Sequence, residues 1–454
     1  IDDSSELHGY KKRGLNIYSP DDLSDCIRNL NVREILVAIP SVSYAGRLKI
    51  IKKLNEYPVL VRTLPGVAEL AQGKVSVNDL RDVSIKDLLG RDSVGPNPKL
   101  LHKDIRNKTV LITGAGGSIG SELSRQILLL KPSSIVLYEL NELALYSIEK
   151  ELINLNYETK IYPILGCVNN RSRFKRVLNR FKVKTIYHAA AYKHVPMVEF
   201  NNSEGVYNNV FGTLNASEVA IEEKVDTFVL ISTDKAVRPT NTMGATKRLA
   251  ELVLQALSVK QSFTRFTMVR FGNVLDSSGS VVPLFKQQIK DGGPITVTDE
   301  NVVRYFMTIP EAVELVIQAG AMGKGGDVFV LDMGKPIRIL DLARKMVKLS
   351  GLEIRDNENP NGDIEIKFSG LRPGEKLYEE LLIGDNITKT DNSLIMRAKE
   401  VTLPWDELLI ILRKMEISIL EYDQEKIRNL LIQAVPEFAP QCEINDLLYS
   451  NRTI

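Results

Sequence analysis

Thr233, Asp234 and Lys235 put a hydroxyl, a carboxylic acid and an amine on three consecutive residues. Downstream, Met243-Gly-Ala-Thr-Lys247 sets a second lysine one helical turn beyond a methionine. An acid beside an amine is equipment for moving protons. A thioether has no proton to give, so proton transfer falls to Thr233, Asp234, Lys235 and Lys247 while Met243 only shapes the site. For an acid and an amine to exchange protons near neutrality, the carboxyl pKa must rise and the amine pKa must fall. Burial drives both changes, and Lys247 or a cofactor's positive ring beside Lys235 would add to the second. The plain alternative is an exposed ion pair after a strand, which is worth little.

Those residues need a frame, and the sequence ahead of them reads as one. Lys108-Thr-Val-Leu-Ile-Thr113 is a short β-rich run followed by Gly114-Ala-Gly-Gly117-Ser118-Ile119-Gly120 and an amphipathic stretch, Ser121 to Leu130. A glycine turn between a strand and a helix N-terminus lets backbone N–H groups approach a pyrophosphate. Ser134-Ile-Val-Leu-Tyr138 is a second strand ending at Glu139, about 20 residues beyond the glycines, the place of an acid on an adenosine ribose. That acid repels a 2′-phosphate, so NAD is expected rather than NADP. Lys160 to Leu165 is the third strand, leading to Cys167 and Val168, and Lys184 to His188 is the fourth, opening into Ala189-Ala190-Ala191. Small side chains there let a cofactor lie against backbone at the carboxyl edge of the sheet. The loop Tyr192 to Met197 then carries Lys193 and His194 above the nicotinamide position, and Asn209 stands beside the active strand. Asp226 to Ser232 is the fifth strand, delivering Thr233, Asp234 and Lys235 to the same edge. Met243 to Leu257 reads as a helix with Met243 and Lys247 on one face.

The alternation of strands and helices predicts an α/β chain: a Rossmann-type doubly wound parallel sheet with a smaller substrate-binding region, preceded by a partial Rossmann-like domain. Of the 454 residues, 1–98 form that first domain and its linker, 99–400 the cofactor-binding domain with substrate-binding insertions, and 401–454 a helical segment. In the first domain, Asp21 to Leu30 and Gly46 to Leu54 read as helices, and Glu34 to Ile39 and Pro58 to Arg62 as strands. Ser93 to Pro98 reads as the linker. The net charge of +2 is spread over interspersed acids and bases, which excludes a nucleic-acid surface. Cys26, Cys167 and Cys442 lie far apart without metal-ligand spacing, so reduced thiols and no metal are expected. No apolar run reaches the ~20 residues of a membrane span. The chain opens on Ile1 rather than Met and reads as a soluble fragment.

Five further runs make a resemblance specific: His188 to Glu199, Ser232 to Val237 with Met243 to Lys247, Arg270-Phe-Gly-Asn-Val274, Tyr305-Phe-Met-Thr-Ile309, and Gly370-Leu-Arg-Pro-Gly-Glu-Lys-Leu-Tyr378. Across nearly its whole length the chain resembles the UDP-N-acetylglucosamine 4,6-dehydratases, in the polysaccharide-biosynthesis branch of the extended short-chain dehydrogenase/reductase family. Asp87-Leu-Leu-Gly-Arg91 is similar to the family's domain junction. In the superfamily the place of Met243 normally holds the tyrosine of a Tyr-x-x-x-Lys pair, and methionine is typical of the large membrane-anchored members.

The resemblance implies a UDP-sugar substrate, a homo-oligomer, and a full-length protein on the cytoplasmic side of the inner membrane, anchored by a segment outside this chain. It implies oxidation at C4, removal of the C5 proton by Lys235, loss of water from C6 with Asp234 as acid, and hydride return to C6. Thr233, through water or Asp234, is the expected route for the C4 hydroxyl proton. Lys247 would hold the nicotinamide ribose. Asn273 would meet the diphosphate, Arg304 and Arg372 would clamp phosphates, Glu375 would bond the uridine ribose, and Thr296 would line the uracil pocket. Two departures stand out: Cys167 replaces an aspartate that usually contacts adenine, and Asp276 replaces a glycine. An inverting dehydratase, a UDP-sugar 4-epimerase and a silent NAD-binding regulator are the rival readings. The first two usually keep the tyrosine that Met243 replaces.

Overall fold

The computed structural model describes residues 1–39, 44–54, 57, 59–63, 81–82, 95–380 and 387–449. Asp87 to Arg91, and residues 93–94 of the expected linker, lie outside them. Pro98 is already the first residue of a helix, Pro98–Lys103, capped by the Asn97 side chain. Contacts group the chain by space rather than by order. One unit comprises Ile1–Asp92, Leu284–Val297 and Leu340–Phe368, the other Ser93–Pro283, Thr298–Ile339 and Ser369–Ile454.

In the first unit, Glu34–Val37 and Leu60–Thr63 pair in parallel and the helix Tyr44–Leu54 connects them, a βαβ arrangement. Val37, Ile51, Leu54, Val59 and Val61 bury their side chains with Leu23 of the helix Leu23–Asn29. Leu349 joins that core from far along the chain. The same unit holds a three-stranded parallel sheet of Ile295–Val297, Ile364–Phe368 and Ile354–Arg355.

Among the described residues, the second unit is organised by a nine-stranded sheet. Its strands are β1 (Thr109–Thr113), β2 (Ser134–Glu139), β3 (Lys160–Leu165), β4 (Thr185–His188), β5 (Thr227–Ile231), β6 (Arg265–Arg270), β7 (Asp327–Leu331), β8 (Ile387–Lys389) and β9 (Ile395–Ala398). They lie in the order β8-β9-β7-β6-β5-β4-β1-β2-β3, parallel from β3 to β7, with β9 and β8 antiparallel at one edge. The apolar runs are continuous because both faces are covered. Alternate residues divide between the faces: Leu111, Val136, Ile186 and Phe228 enter one core, Val110, Ile112, Ile135 and Val229 the other.

Helices α1 (Ser118–Leu129) and α2 (Glu142–Asn154) cover the second face. Helix α3 (Thr242–Lys260) lies in the core of the first, where everything from Thr242 to Leu257 is buried. A helix buried all round needs cover on its far side. Helices α4 (Trp405–Leu420) and α5 (Gln424–Ala434) belong to that same core through Leu408, Ile411, Leu412, Met415, Ile427 and Leu431. The C-terminal helices are therefore part of the second unit's interior. Strand order reverses between β1 and β4, where Thr113 pairs with His188, so the crevice opens at their carboxyl ends. No helix of the described residues is long and apolar enough to cross a membrane.

Candidate active site

The glycine turn sits in that crevice. Gly114 has φ +63°, and a Cβ on it would lie 2.8 Å from the Ala190 nitrogen, so the turn and the Ala189–Ala191 segment approach backbone to backbone. A Cβ on Gly120 would lie 2.0 Å from the Gly114 carbonyl oxygen, and Gly117 caps α1. Glu139 ends β2 and ties the turn to it: Oε2 accepts the Gly116 N–H at 2.9 Å, and Oε1 accepts those of Leu140 and Asn141. Ser118 Oγ accepts the Ser278 N–H, and Ile119 packs against the core. The Cys167 carbonyl accepts the Tyr138 hydroxyl at 3.0 Å, while the Val168 side chain is committed to the core. Asn209 braces rather than reaches outward: its amide bonds both the N–H and the carbonyl of Tyr192, and donates to Thr246 of α3.

At the end of β5 the chain makes one tight turn, Asp234–Ala236, with Thr233 Oγ1 accepting the Lys235 N–H. Thr233 also donates to Asp234 Oδ1 at 2.8 Å. Asp234 is 2 % exposed, and its carboxyl hydrogen-bonds that of Glu379. Burial, followed by the nearby Glu379 carboxylate, pushes its pKa up to about 7. Lys235 Nζ lies 3.2 Å from Asp234 Oδ1, 2.6 Å from Glu379 Oε1 and 3.4 Å from Asn273 Oδ1.

The expected lowering of the Lys235 pKa does not occur. Burial alone would depress it, but Asp234 and Glu379 outweigh burial and the net shift is upward. The ammonium is the resting form. Burial does depress Lys247, brought down to about 8 and donating to the Ile231 carbonyl at 2.7 Å. Met243 is buried beside the start of α3, which the Asn241 side chain caps by accepting the Gly244 N–H.

Glu379, one residue past the Gly370–Tyr378 run, went unassigned in the sequence. Its carboxylate is the hub of the site, accepting from Lys235 and from Asn273 Nδ2 at 3.2 Å and pairing with Arg304 Nε at 3.2 Å. Arg304, expected as a free phosphate fork, is engaged on all sides: Glu379, Glu375 at 3.0 Å, and the carbonyls of Val303 and Leu377. Glu375 is correspondingly occupied by Arg304, by Thr298 and by the Arg372 N–H. Lys193, His194 and Arg372 are exposed. Thr296 belongs to the first unit, where its hydroxyl and N–H both bond Gln288. Asp276 is exposed with φ +59°, which explains a glycine preference at that position; aspartate is among the side chains that tolerate it.

Beneath the turn lies a second buried cluster that no local motif signals. Arg270, 1 % exposed, pairs with Glu251 and Glu400; Glu251 also takes Arg248 and, at 2.6 Å, the Ser232 hydroxyl. It ties β6, α3 and the residue before Thr233 together, which fixes the turn from below.

A family profile described as polysaccharide biosynthesis protein matches residues 110–400. The capsular polysaccharide biosynthesis protein CapD of Staphylococcus aureus is 49% identical over 364 residues, covering 80% of this chain and 59% of CapD. EpsC of Bacillus subtilis is 44% identical over 385 residues, covering 84% of this chain and 63% of EpsC. The chain thus spans less than two thirds of either relative. Among solved structures, Pen from Bacillus thuringiensis superposes with a TM-score of 0.58 at 32% identity, covering 68% of this chain and 98% of Pen.

Proposed function

The chain belongs to the polysaccharide biosynthesis protein family, and from that premise we propose that it is a UDP-N-acetylglucosamine 4,6-dehydratase working with NAD. The observation that carries this reading is the pairing of the buried Asp234 with the half-buried Lys235 at the carboxyl end of β5, beside a methionine where a proton-carrying side chain would otherwise serve.

The cradle fits a dinucleotide. Gly114, Gly117 and Gly120 leave backbone room that side chains would fill, α1 turns its N-terminus to the crevice, and Glu139 stands at the end of β2. Ala189, Ala190 and Ala191 present small side chains, and Lys247 reaches the β5 edge. A carboxylate at Glu139 favours NAD over NADP. The Gly114–Gly120 turn, Glu139 and Lys247 would hold NAD there, and the bound cofactor would supply reversible hydride acceptance, from C4 and back to C6, with no net redox change.

The protein's own residues divide the protons. Asp234, poised near neutrality, takes the C4 hydroxyl proton through Thr233, to which it is hydrogen-bonded, and later delivers it to the hydroxyl leaving C6 as water. Lys235, as a neutral amine, takes the C5 proton and gives one back to C5 after the hydride returns. Two protons leave the sugar, one departs in water, and one goes back to carbon. Arg304, Glu375 and Asn273 hold the carboxylate hub in place, and the exposed Lys193, His194 and Arg372 are the groups free to meet an anionic nucleotide sugar.

Incubation of the purified chain with UDP-N-acetylglucosamine, followed by NMR, tests the reading. A 4-keto-6-deoxy product is expected, and its C5 configuration separates the retaining from the inverting enzyme. A C4 epimer with its C6 hydroxyl intact would establish the epimerase instead.

A further inference from the structure

Lys235 presents a chemical problem that its own neighbours resolve. A C5 base must be a neutral amine, yet this half-buried amine lies against two carboxyl groups and rests as an ammonium. Its shortest contact, 2.6 Å, is to Glu379 rather than to the adjacent Asp234 at 3.2 Å. Glu379 is itself enclosed, with 4% side-chain exposure, and is oriented by Arg304 and Asn273, so the contact is built rather than incidental.

We propose that Glu379 is a positioning residue that stores the resting proton of Lys235 during turnover, a role that rests on the dehydratase reading above. One N–H bond of the Lys235 ammonium breaks and an O–H bond forms on Glu379, leaving two neutral groups. The free amine then takes the C5 proton, and the C5–H electron pair forms the C5–C6 double bond as the C6–O bond breaks. After C5 is reprotonated from Lys235, Glu379 returns the stored proton and the ion pair is restored. No proton is gained from or lost to solvent in this loop, so Lys235 serves as a base without having to titrate.

Among the described residues, the charged and titratable groups facing this pair are few. Asp234 shares the ammonium, Arg304 holds the outer edge of Glu379, Glu375 neutralises the far side of Arg304, and Lys376, bonded to the carbonyls of Val237 and Arg238, contributes positive charge nearby. Glu380, the neighbouring acid, pairs away with Arg238.

The test is the pH profile of kcat for Glu379→Gln and Glu379→Asp. With glutamine, Lys235 must lose its proton to solvent. Activity near neutrality should fall by about tenfold or more and then recover with rising pH as the amine titrates, a rise the parent enzyme lacks. Glu379→Asp, which keeps the carboxylate, should retain a profile of the parent's shape. Loss by one factor at every pH in both variants, or near-parental rates for Glu379→Gln, would overturn the proposal. ¹⁵N-lysine NMR of the ligand-free protein separates this claim from the dehydratase reading. The Lys235 ionisation should move to lower pH in Glu379→Gln, and an unmoved ionisation overturns the role of Glu379 whatever product the parent enzyme makes.

Discussion

Replacing Asp234 with asparagine should cost catalysis and yet stabilise the fold, increasingly so as pH rises. The carboxyl is 2 % exposed, it hydrogen-bonds that of Glu379, and its pKa is lifted from 3.8 to about 7 by burial and Glu379. A raised folded-state pKa means that the native protein holds this proton more tightly than the unfolded chain does. The associated stability is complete below pH 4, declines as pH rises, and is gone above about pH 7. At 1.36 kcal/mol per unit the full span is about 4 kcal/mol, and between pH 5 and pH 8 about 2 to 3 kcal/mol. Asparagine keeps the shape, carries no charge, and offers N–H donors beside Glu379. The melting temperature of Asp234→Asn relative to the parent should therefore climb by about 3 °C from pH 5 to pH 8. Thermal unfolding of both proteins in matched buffers at the two pH values measures it. A difference that is flat with pH, or that shrinks toward pH 8, would show that Asp234 is an ordinary ionised carboxylate and that the proton assignment is wrong.

The same Asp234→Asn variant, and Lys235→Ala, should lose about 10²–10⁴ in dehydration rate while keeping bound dinucleotide; product NMR and the absorbance of nucleotide released on denaturation read the two quantities. Met243→Tyr should bring no gain and probe the ordinary superfamily mechanism directly, since a phenol would enter a buried thioether position whose proton route already runs through Thr233 and Asp234; a several-fold higher kcat would contradict that route. Gly120→Ala drives a Cβ to 2.0 Å from a backbone oxygen, and at about 1–3 kcal/mol for such overpacking it should weaken NAD binding roughly 5- to 100-fold by calorimetry.

Strands β1, β2, β4 and β5 were legible because they are buried on both faces and so spell continuous apolar runs, and the glycine turn because backbone crowding at Gly114 and Gly120 admits no side chain; β7, β8 and β9 were not read from the sequence. Helix α3 starts at Thr242, one residue before the expected Met243, since Asn241 is the capping residue. What pairs distant segments was not legible. Nothing local in Leu284–Val297 or Leu340–Phe368 signals that they join the first unit, which carries Thr296 there with them. Glu379 and Glu380 are adjacent and chemically identical, yet one is the buried partner of Lys235 and the other pairs with Arg238 nearer the surface. The direction of the Lys235 shift failed for a related reason: burial was foreseeable from the strand end, but of the two carboxylates that together override it, Asp234 and Glu379, the second comes from over a hundred residues away. Arg304 likewise looks like a phosphate clamp until Glu375 and Glu379 are seen around it.

In the proposed reaction a single hydride leaves C4 and comes back at C6 within one bound sugar. UDP-N-acetylglucosamine carrying deuterium at C4, turned over by the purified chain and examined by NMR, tests it directly. A 4-keto-6-deoxy product with the deuterium in its C6 methyl group is expected. Deuterium retained at C4 of an epimerised sugar with its C6 hydroxyl intact would contradict it.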